Sequence, residues 1–478
     1  MFHDKQFRLG GTIGGMYQPH PLDVRLAEVL APGRLYAVGG RVRDELRQEI
    51  EGIELPAKDL DYVVTGLSLE ELTPRLERLG RVDLVGAAFA VAKLTTDGET
   101  VDVALPRRER STGHGHRDFE VQSGPAIPLE DDLARRDFRM NMIARALPGG
   151  ELVDPYGGIA DIRAGLIDIV TPAAFEEDPL RMLRAAQFAA RFGYAPTPAT
   201  IAAMREAAAL VATVAPERIH DELEKLFALA PRPSVGLRLL AETGVLAQFW
   251  PELLEGVGVE QNEWHAYDVW EHNLATVDAT PPGDVTLRLA ALLHDVGKPR
   301  TKEGPHFYRH EQIGAEMAGD MLRRLRFANE TVEAVEQLVR QHMYVQDPEL
   351  SDAAIRRFIR RIGLPRLERQ FAVRHADITG SGLPKRDDTN ERFEARVWEE
   401  VERKPPFSVA DLAISGDDVI KAMVYANIAP PGFRGDARVG AALQWLFEQV
   451  TERPERNERQ VLLTLLDGYL AVHDRAIG

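Results

Sequence analysis

Two aspartates, Asp59 and Asp61, stand one residue apart in residues 58–64, which run Lys-Asp-Leu-Asp-Tyr-Val-Val. Alternate side chains of a β-strand point to the same face, so these two carboxylates can share a pair of hard cations. Two such ions can bind a triphosphate and activate a hydroxyl group for attack on it. The spacing therefore indicates a metal-dependent nucleotidyl-transfer site, with Mg²⁺ as its expected ion.

A glycine pair, Gly39-Gly40, follows the apolar run 35–38 and precedes a helix-forming stretch. This order predicts a strand-to-helix turn whose backbone amides can bind phosphate. Arg43 would reach the triphosphate from the start of that helix, and Asp44 would cap its amides. A surface turn beside an acidic strand is the common alternative for either pattern alone, but their order and spacing together favour a nucleotide site.

The composition of the 478 residues, of which 44% are hydrophobic, predicts a globular protein of about three domains. No apolar run approaches the roughly 18 residues that span a bilayer, and residues 1–20 have no signal-like core. We therefore expect a cytoplasmic protein without a membrane partner. Because cysteine is absent, any metal must be held by Asp, Glu, His or backbone oxygen.

The net charge of −17 argues against nucleic acid as a partner, because phosphate backbones favour basic surfaces. The arginines are nevertheless clustered, within residues 107–117, 135–145 and 356–369. A folded chain could therefore present a basic groove on an acidic body. For the third cluster, solvated helix faces balanced by neighbouring glutamates are an equal alternative.

Short β-like runs at 35–38, 60–64, 82–85 and 100–105 alternate with helical segments, whereas the pattern from Asp178 onward is helical. This predicts an α+β fold, in which a mixed α/β head precedes mostly helical domains. The charged, glycine-containing stretch 107–124 has no periodic apolar face and predicts a mobile loop. Asp102, in a strand-like run beside it, is either a third metal ligand or an ordinary exposed strand residue.

Four more segments fit a nucleotidyl-transfer head, namely residues 135–141, 154–158, 177–184 and 215–219. In the third of them, Asp178, Arg181 and Arg184 are spaced by three, so on one helix they would share a face. A carboxylate beside a guanidinium offers an acceptor and donors to the edge of a base. A surface ion pair is the alternative for an isolated helix.

Taken in order over residues 34 to 225, these segments resemble the class II tRNA nucleotidyltransferase and bacterial poly(A) polymerase family of the polymerase β superfamily. The resemblance implies that Asp59 and Asp61 hold Mg²⁺ and that an Asp-Arg pair, rather than a template, selects the base. The resemblance also implies which residues contact the incoming ATP or CTP, namely Gly40, Arg43, Arg136, Asp178, Arg181 and Arg184. The neighbouring Gly39, Asp44, Asp137, Asn141 and Gln187 complete the predicted nucleotide-binding set.

Gln187 departs from the family, which usually has arginine three residues after the position of Arg184. A positive charge that would face the triphosphate is therefore missing, although glutamine keeps a hydrogen-bond donor. The departure predicts weaker nucleotide affinity or a modified base preference rather than loss of activity.

Histidines and aspartates downstream suit a second metal site: His272, His294, Asp295 and Asp377. Imidazole and carboxylate ligands fit a transition metal such as Mn²⁺ or Ni²⁺, or Mg²⁺, and a carboxylate on an apolar helix is costly unless it is paired or bound to metal. The spacing resembles the HD phosphohydrolase superfamily, which implies that these four residues hold the ion. His310 and His342 either complete a second metal position or are plain surface histidines.

Both sites in one chain are similar to the nucleotidyltransferase subgroup that carries an HD domain, whose HD part shows phosphatase or cyclic phosphodiesterase activity. The resemblance implies four domains: a head (22–160), a base-recognising neck (161–255), an HD domain (256–380) and a helical tail that holds tRNA (381–478).

The predicted function is addition of CCA to the 3′ end of tRNA from CTP and ATP. A-only addition, CC-only addition and poly(A) synthesis follow in that order. Two other classes remain open, an HD phosphohydrolase whose head only binds RNA and, less favoured, an RNA chaperone without catalysis. The oligomeric state is left open.

Overall fold

The computed structural model describes residues 17–56, 60–85, 91–111, 119–385 and 387–473. Two compact units are formed, the first by the chain through Glu255 with Pro281–Val285 and Met321–Ala328, and the second by Gly256–Thr280, Thr286–Asp320 and the chain from Asn329 onward. A mixed sheet near the start is followed by helices, so the predicted α+β class is confirmed. Among the described helices none has the length and apolar character needed to cross a membrane. The four predicted domain boundaries stay a prediction.

The head is built on a mixed sheet. The strands described in the head are β1 Arg34–Val38, β2 Asp61–Thr65, β3 Arg81–Val85, β4 Val91–Thr96, β5 Glu99–Ala104, β6 Arg107–Ser111, β7 Phe119–Ser123, β8 Ala144–Leu147 and β9 Leu152–Val153. Of these, β6 and β7 form a separate two-stranded ribbon. The other seven form one sheet in the order β3-β4-β5-β2-β1-β8-β9, in which only the β2–β5 pair is parallel. The four strands expected from sequence are confirmed, whereas β4, β8 and β9 of this sheet were not predicted.

The head helices are α1 Pro21–Leu30, α2 Gly40–Glu51, α3 Leu69–Leu76, α4 Leu129–Ala134 and α5 Gly158–Ala164. Side chains from β1, β2 and β8, among them Val38 and Val63, pack against Leu129 and Leu133 of α4 to form one apolar core. Burial on this face fixes the register of the central strands, because a slip of one residue would turn the apolar side chains to solvent.

The expected mobile loop at 107–124 is wrong for its described part. β6 and β7 pair antiparallel, with Arg107 opposite Ser123 and Ser111 opposite Phe119, while residues 112–118 lie outside the described chain. Cross-strand hydrogen bonds join main-chain groups, so a ribbon of this kind needs no periodic apolar face. Arg108 also forms an ion pair with Asp131 of α4.

Helices continue after the head: α6 Ala174–Glu177, α7 Arg181–Phe192, α8 Pro198–Ala207, α9 Pro216–Leu229, α10 Pro233–Glu242 and α11 Pro251–Leu254, with two short strands, β10 Leu166–Ile167 and β11 Ala195–Pro196. The expectation that Asp178 opens a helix is wrong, since it follows α6 in an extended conformation (φ −141°, ψ 97°) and α7 begins at Arg181. Pro179 is the cause, because its ring disfavours helical geometry in the preceding residue.

The later part is helical: α12 Val269–Asp278, α13 Val285–Leu293, α14 His310–Arg324, α15 Asn329–Arg340, α16 Asp352–Ile362, α17 Leu367–Gly380, α18 Thr389–Glu402, α19 Gly416–Tyr425, α20 Ala437–Glu452 and α21 Arg459–His473, with the short hairpin β12 Lys302–Glu303 and β13 His306–Phe307. One apolar cluster joins α16, α17 and α18, and another joins α19, α20 and α21.

The third arginine cluster belongs largely to α16, and glutamates neutralise three of its members. Arg356 donates to Glu400 at 2.5 Å and to the Thr451 carbonyl oxygen at 2.6 Å, and both its side chain and that of Glu400 are buried. Arg357 pairs with Glu452, and Arg360 pairs with Glu448 at 2.7 Å. For Arg357 and Arg360 the structure therefore bears out the balanced helix face rather than a basic groove, whereas Arg356 belongs to a buried ion pair.

Candidate active sites

A cleft of about 860 Å³ in the first unit brings most of the predicted nucleotide-binding residues together. Ten arginine and lysine side chains line it, against four carboxylates. A concave surface with this excess of positive charge attracts a polyanion such as a triphosphate. Of the predicted set, the lining contains Gly39, Gly40, Arg43, Asp61, Arg136, Asp137, Asn141, Asp178, Arg181, Arg184 and Gln187.

Asp61 is the first residue of β2, and its side chain is exposed to the cleft. It lies level with Asp102 on the adjacent parallel strand β5, and Asp102 forms an ion pair with Lys93 at 3.1 Å. An exposed aspartate at a strand end fits a hard cation, which prefers oxygen ligands. Asp59 lies outside the described residues, so its alignment with Asp61 on one face stays a prediction.

The glycine turn is as expected, but its helix cap is not. Gly39 has φ +69° and directly precedes α2, so the backbone conformation favours glycine there, and the Arg136 guanidinium lies against it. Asp44 does not cap the helix, because it is the fifth residue of α2 and is buried. It accepts a 2.7 Å hydrogen bond from Arg43 Nε instead.

Asp137 is the centre of a buried network that orients the cleft arginines. Its Oδ2 accepts from Arg184 Nε at 2.8 Å, and its Oδ1 accepts from Asn141 Nδ2 at 2.7 Å. The Asn141 side-chain oxygen in turn accepts from Arg43 Nη1 at 2.7 Å. Burial alone would raise the pKa of Asp137, but the Arg184 charge and these hydrogen bonds lower it below its usual value. One carboxylate therefore links guanidiniums from α2 and α7.

The three residues expected on one helix face have separate partners. Asp178 accepts from Arg218 Nη2 at 3.1 Å, whereas Arg184 pairs with Asp137. Arg181 donates to two main-chain oxygens, that of Ala174 at 3.1 Å and that of Arg135 at 2.6 Å. The expected single Asp-Arg face is therefore wrong, because Asp178 precedes α7 rather than belonging to it.

The second site is a buried cluster in the second unit. His272 Nε2 lies 3.2 Å from Asp377 Oδ1 and 3.4 Å from Asp295 Oδ2, and His294 Nε2 lies 3.2 Å from the same Asp295 oxygen. The other oxygen, Asp295 Oδ1, faces His310 Nε2 at 3.4 Å and His342 Nε2 at 3.6 Å. Asp295 thus stands between two groups that could each hold an ion.

The orientation of the four histidine rings fits metal binding. Each donates its Nδ1 proton to a main-chain carbonyl oxygen: His272 to Gly380, His294 to Ala291, His310 to Phe307 and His342 to Val339. In the neutral form of these rings the Nε2 lone pairs would point inward, and the Nε2 atoms meet in pairs, 3.0 Å apart for His272 and His294 and 3.2 Å apart for His310 and His342. Facing lone pairs at such distances repel unless a cation or proton lies between them.

Close contacts between histidines and aspartates shift the pKa values of the groups in this cluster. Burial disfavours an imidazolium, but the Asp295 and Asp377 carboxylates outweigh it and raise the pKa of His294 to about 10. Burial alone would raise the pKa of both aspartates, but the neighbouring His272 and His294 rings hold it well below the usual range. Neither Asp295 oxygen accepts a hydrogen bond of good geometry from a described group, although Lys298 Nζ lies 2.5 Å from Oδ2. A metal ion would compete with the proton on the histidines.

Helix ends and close packing assemble this cluster. His294 and Asp295 lie in the turn directly after α13, not on the helix as expected, while Asp377 projects from α17. Gly380 lets α17 approach α12, since a Cβ there would lie 2.3 Å from Thr276 Oγ1. His310 and His342 are buried, so the alternative of plain surface histidines is wrong.

Three family models match the chain in sequence order. They are the poly A polymerase head domain over residues 35–168, the probable RNA and SrmB-binding site of polymerase A over 193–256, and the HD domain over 273–382. Among curated proteins, the multifunctional CCA protein of Stenotrophomonas maltophilia strain K279a is 40% identical over 335 residues, which cover 67% of this chain and 79% of the relative. The chain belongs to the multifunctional CCA protein family.

Other members and solved structures agree. The multifunctional CCA protein of Nitrosomonas europaea is 39% identical over 307 residues, covering 62% of this chain and 70% of that one. The fold is similar to that of the Bacillus stearothermophilus CCA-adding enzyme in complex with CTP, with a TM-score of 0.67, 23% identity and coverage of 95% and 97%. It is also similar to the Thermotoga maritima CCA-adding enzyme complexed with tRNA, with a TM-score of 0.54, 18% identity and 94% coverage of each chain.

Membership of the multifunctional CCA family confirms two predictions made from sequence. The nucleotidyltransferase family with an appended HD domain is correct, and so is the enzyme class, a tRNA nucleotidyltransferase. Use of divalent metal follows from the two domain types. The roles of individual residues stay predictions.

Several cleft and cluster residues were not among those predicted from sequence. Arg218, which pairs with Asp178, lies in the segment 215–219, but no contact with the nucleotide was predicted for it. Arg191 also lines the cleft, one turn beyond Gln187 on α7. In the metal cluster, Lys298 and Arg374 stand three residues from Asp295 and Asp377 respectively, and Arg374 Nη1 donates to Asp377 at 2.8 Å. For Lys298 and Arg374, the spacing of three residues from an aspartate along a turn or helix was the signal that the sequence offered.

Proposed function

We propose that the first-unit cleft adds CCA to the 3′ end of tRNA, using CTP and then ATP without a template. The convergence of Asp61, the Gly39–Gly40 turn and ten cationic side chains in one cleft supports this proposal most strongly. An oxygen ligand for a hard cation thus lies beside donors for a triphosphate.

The chain's own residues would bind and orient the nucleotide. The amides that begin α2 at Gly40 suit the phosphates, because a helix N-terminus carries partial positive charge. Arg43 and Arg184, fixed through Asp137, would neutralise phosphate charge from two sides. Divalent ions held by Asp61 and Asp59 supply activation of the primer hydroxyl and charge neutralisation when they are bound.

Base selection is assigned to the Asp178–Arg218 pair. Both side chains are partly exposed, 26% and 33%, and both line the cleft. An aspartate acceptor beside a guanidinium donor can meet the complementary edges of cytosine and adenine, which differ in where they donate and accept. Arg181 is less suited, since main-chain oxygens already engage its guanidinium.

Three tRNA transcripts test the specificity. They end before the tail, after C and after CC, and each is incubated with CTP or with ATP. Full CCA addition predicts extension of the first two by CTP and of the third by ATP alone. Extension of only the CC transcript would establish A-addition, extension that stops at CC would establish CC-addition, and long A tails would establish poly(A) synthesis.

The metal cluster supports a second activity, hydrolysis of small phosphate esters or of 2′,3′-cyclic phosphates. It opens into a cavity of about 430 Å³ that is lined by Lys298 and Arg374 and by the apolar side chains of Trp264 and Phe307. Cationic side chains suit a phosphate, and aromatic side chains suit an attached base. A divalent ion there, Mn²⁺, Ni²⁺ or Mg²⁺, supplies Lewis-acid polarisation of the ester when bound.

Paired variants separate the two activities. His294→Ala should abolish ring opening of 2′,3′-cyclic AMP to the monophosphate and release of phosphate from p-nitrophenyl phosphate, and leave nucleotide incorporation intact. Asp61→Ala should do the reverse. Incorporation that persists in Asp61→Ala would instead favour a phosphohydrolase whose head only binds RNA.

A further inference from the structure

The N-terminal helix α1 carries a buried carboxylate that the nucleotide cleft does not itself account for. Asp23 has no exposed surface, and its oxygens accept from four different residues. Arg41 donates from Nη1 at 2.9 Å and from Nη2 at 2.6 Å, and the Tyr62 hydroxyl donates at 2.7 Å. The His20 amide donates at 2.9 Å and the Tyr17 hydroxyl at 3.2 Å.

Two of these donors belong to the segments that build the nucleotidyl-transfer site. Arg41 directly follows Gly40 of the phosphate-binding turn, and Tyr62 directly follows Asp61 on β2. Because adjacent residues of a strand point to opposite faces, Tyr62 extends to the buried side while Asp61 faces the cleft. Asp23 therefore ties the metal-ligand strand and the phosphate turn together from behind.

These hydrogen bonds to Asp23 restrain the positions of the two segments more than they add to the net stability of the fold. A fully buried carboxylate with an arginine partner roughly offsets its own desolvation, so the pair is weak support for stability alone. Its bidentate geometry, however, fixes both groups within a narrow range of orientations. Arg41 is also held from the other side by Glu45 at 2.8 Å. A shift of about 1 Å between reacting groups can cost roughly 100-fold in rate.

We propose that Asp23 is a positioning residue for nucleotidyl transfer, which sets Asp61 relative to the Gly39–Gly40 turn through Tyr62 and Arg41. The proposal rests on the proposed function of the cleft and deepens it. It makes α1 part of the catalytic apparatus although it contributes no group to the cleft lining.

Two substitutions test this in the full chain, Asp23→Asn and Tyr62→Phe, singly and combined. The assay is incorporation of AMP from ATP into a tRNA ending in CC, with kcat and KM measured separately. We expect Asp23→Asn to lower kcat roughly 10- to 100-fold and Tyr62→Phe to lower it several-fold, both with little change in KM. The effect of the double variant should fall short of the sum of the two single effects, because both changes act on the same buried network.

Asp97→Asn is the matched control. It removes a carboxylate that also pairs with α1, through Arg25, but both side chains are exposed and neither belongs to the cleft lining. It should incorporate AMP like the wild type, and thermal unfolding should be alike for it and for Tyr62→Phe.

The outcomes separate this proposal from the function on which it rests. Wild-type protein that incorporates no nucleotide refutes the proposed function and this role with it. An active wild type whose Tyr62→Phe variant keeps its kcat refutes the role of Asp23 alone, as does full additivity in the double variant. Should Asp23→Asn fail to fold, Tyr62→Phe decides, since it removes only one hydroxyl.

Discussion

Asp137→Asn is the substitution most informative about how the cleft is organised. The amide must keep its oxygen toward the Asn141 and Phe138 donors, so its NH₂ group would face Arg184, donor against donor. The Arg184 Nε hydrogen bond at 2.8 Å is then lost together with the ion pair, in which Nη2 lies 2.7 Å from Asp137 Oδ2.

The expected cost follows from the surroundings of Arg184. Breaking a fully buried pair costs about 3–5 kcal/mol. Here 33% of the Arg184 side chain is exposed and Glu222 lies 3.6 Å away as a substitute partner, which reduces the cost. We therefore expect a loss of about 2–3 kcal/mol in local stability, between a single charged hydrogen bond and a buried pair.

Native-state hydrogen exchange of peptides covering 181–192 measures this loss, and KM for ATP and CTP measures its effect on binding. A misplaced Arg184 should raise both KM values about tenfold, which corresponds to roughly 1.4 kcal/mol. Asp83→Asn is the control, because its pair with Arg81 at 3.0 Å is exposed and such pairs contribute about 0–1 kcal/mol.

The pH dependence gives a second check on Asp137. Its folded pKa lies below the usual value, so the stabilisation is fully present above the unfolded pKa of about 3.9 and is lost as the pH falls through the lower folded pKa. The difference between wild type and Asp137→Asn should thus be equal at pH 7 and pH 5 and shrink only in stronger acid. Equal exchange and equal KM in both proteins would contradict the network described here.

Three other changes have distinct expected results. Gln187→Arg should lower the nucleotide KM, because the buried glutamine lines the cleft and arginine would add a charge for the triphosphate; an unchanged KM contradicts the missing-charge interpretation. Arg218→Met should relax discrimination between CTP and ATP more than it lowers total incorporation, as competition assays would show, since it leaves Asp178 without its donor. His342→Ala should remove one equivalent of bound Mn²⁺ and leave the second equivalent in place, because only one side of Asp295 loses a ligand. Elemental analysis after dialysis measures the bound Mn²⁺, and loss of both ions would show that the two positions are coupled.

Much of the fold followed from local patterns in the sequence. Four strands of the head were recognisable because apolar β-branched runs end at polar turns, and the Gly39–Gly40 turn was recognisable because glycine readily adopts the positive φ that the turn requires. The ribbon of β6 and β7 was not, since pairing between main-chain groups leaves no apolar period.

The sequence by itself determined the kinds of chemistry. Gly-Gly, Arg and the two aspartates, in that order, predicted a phosphate and metal site, and His with His-Asp predicted a second metal site, because residue type fixes ligand preference. Tertiary structure alone decided the partners. Asp178 meets Arg218 from α9, Asp137 joins Arg43 to Arg184, and Asp23 joins two segments of the cleft. Spacing places a residue on a face of its own element, but the facing partner depends on packing between elements distant in sequence.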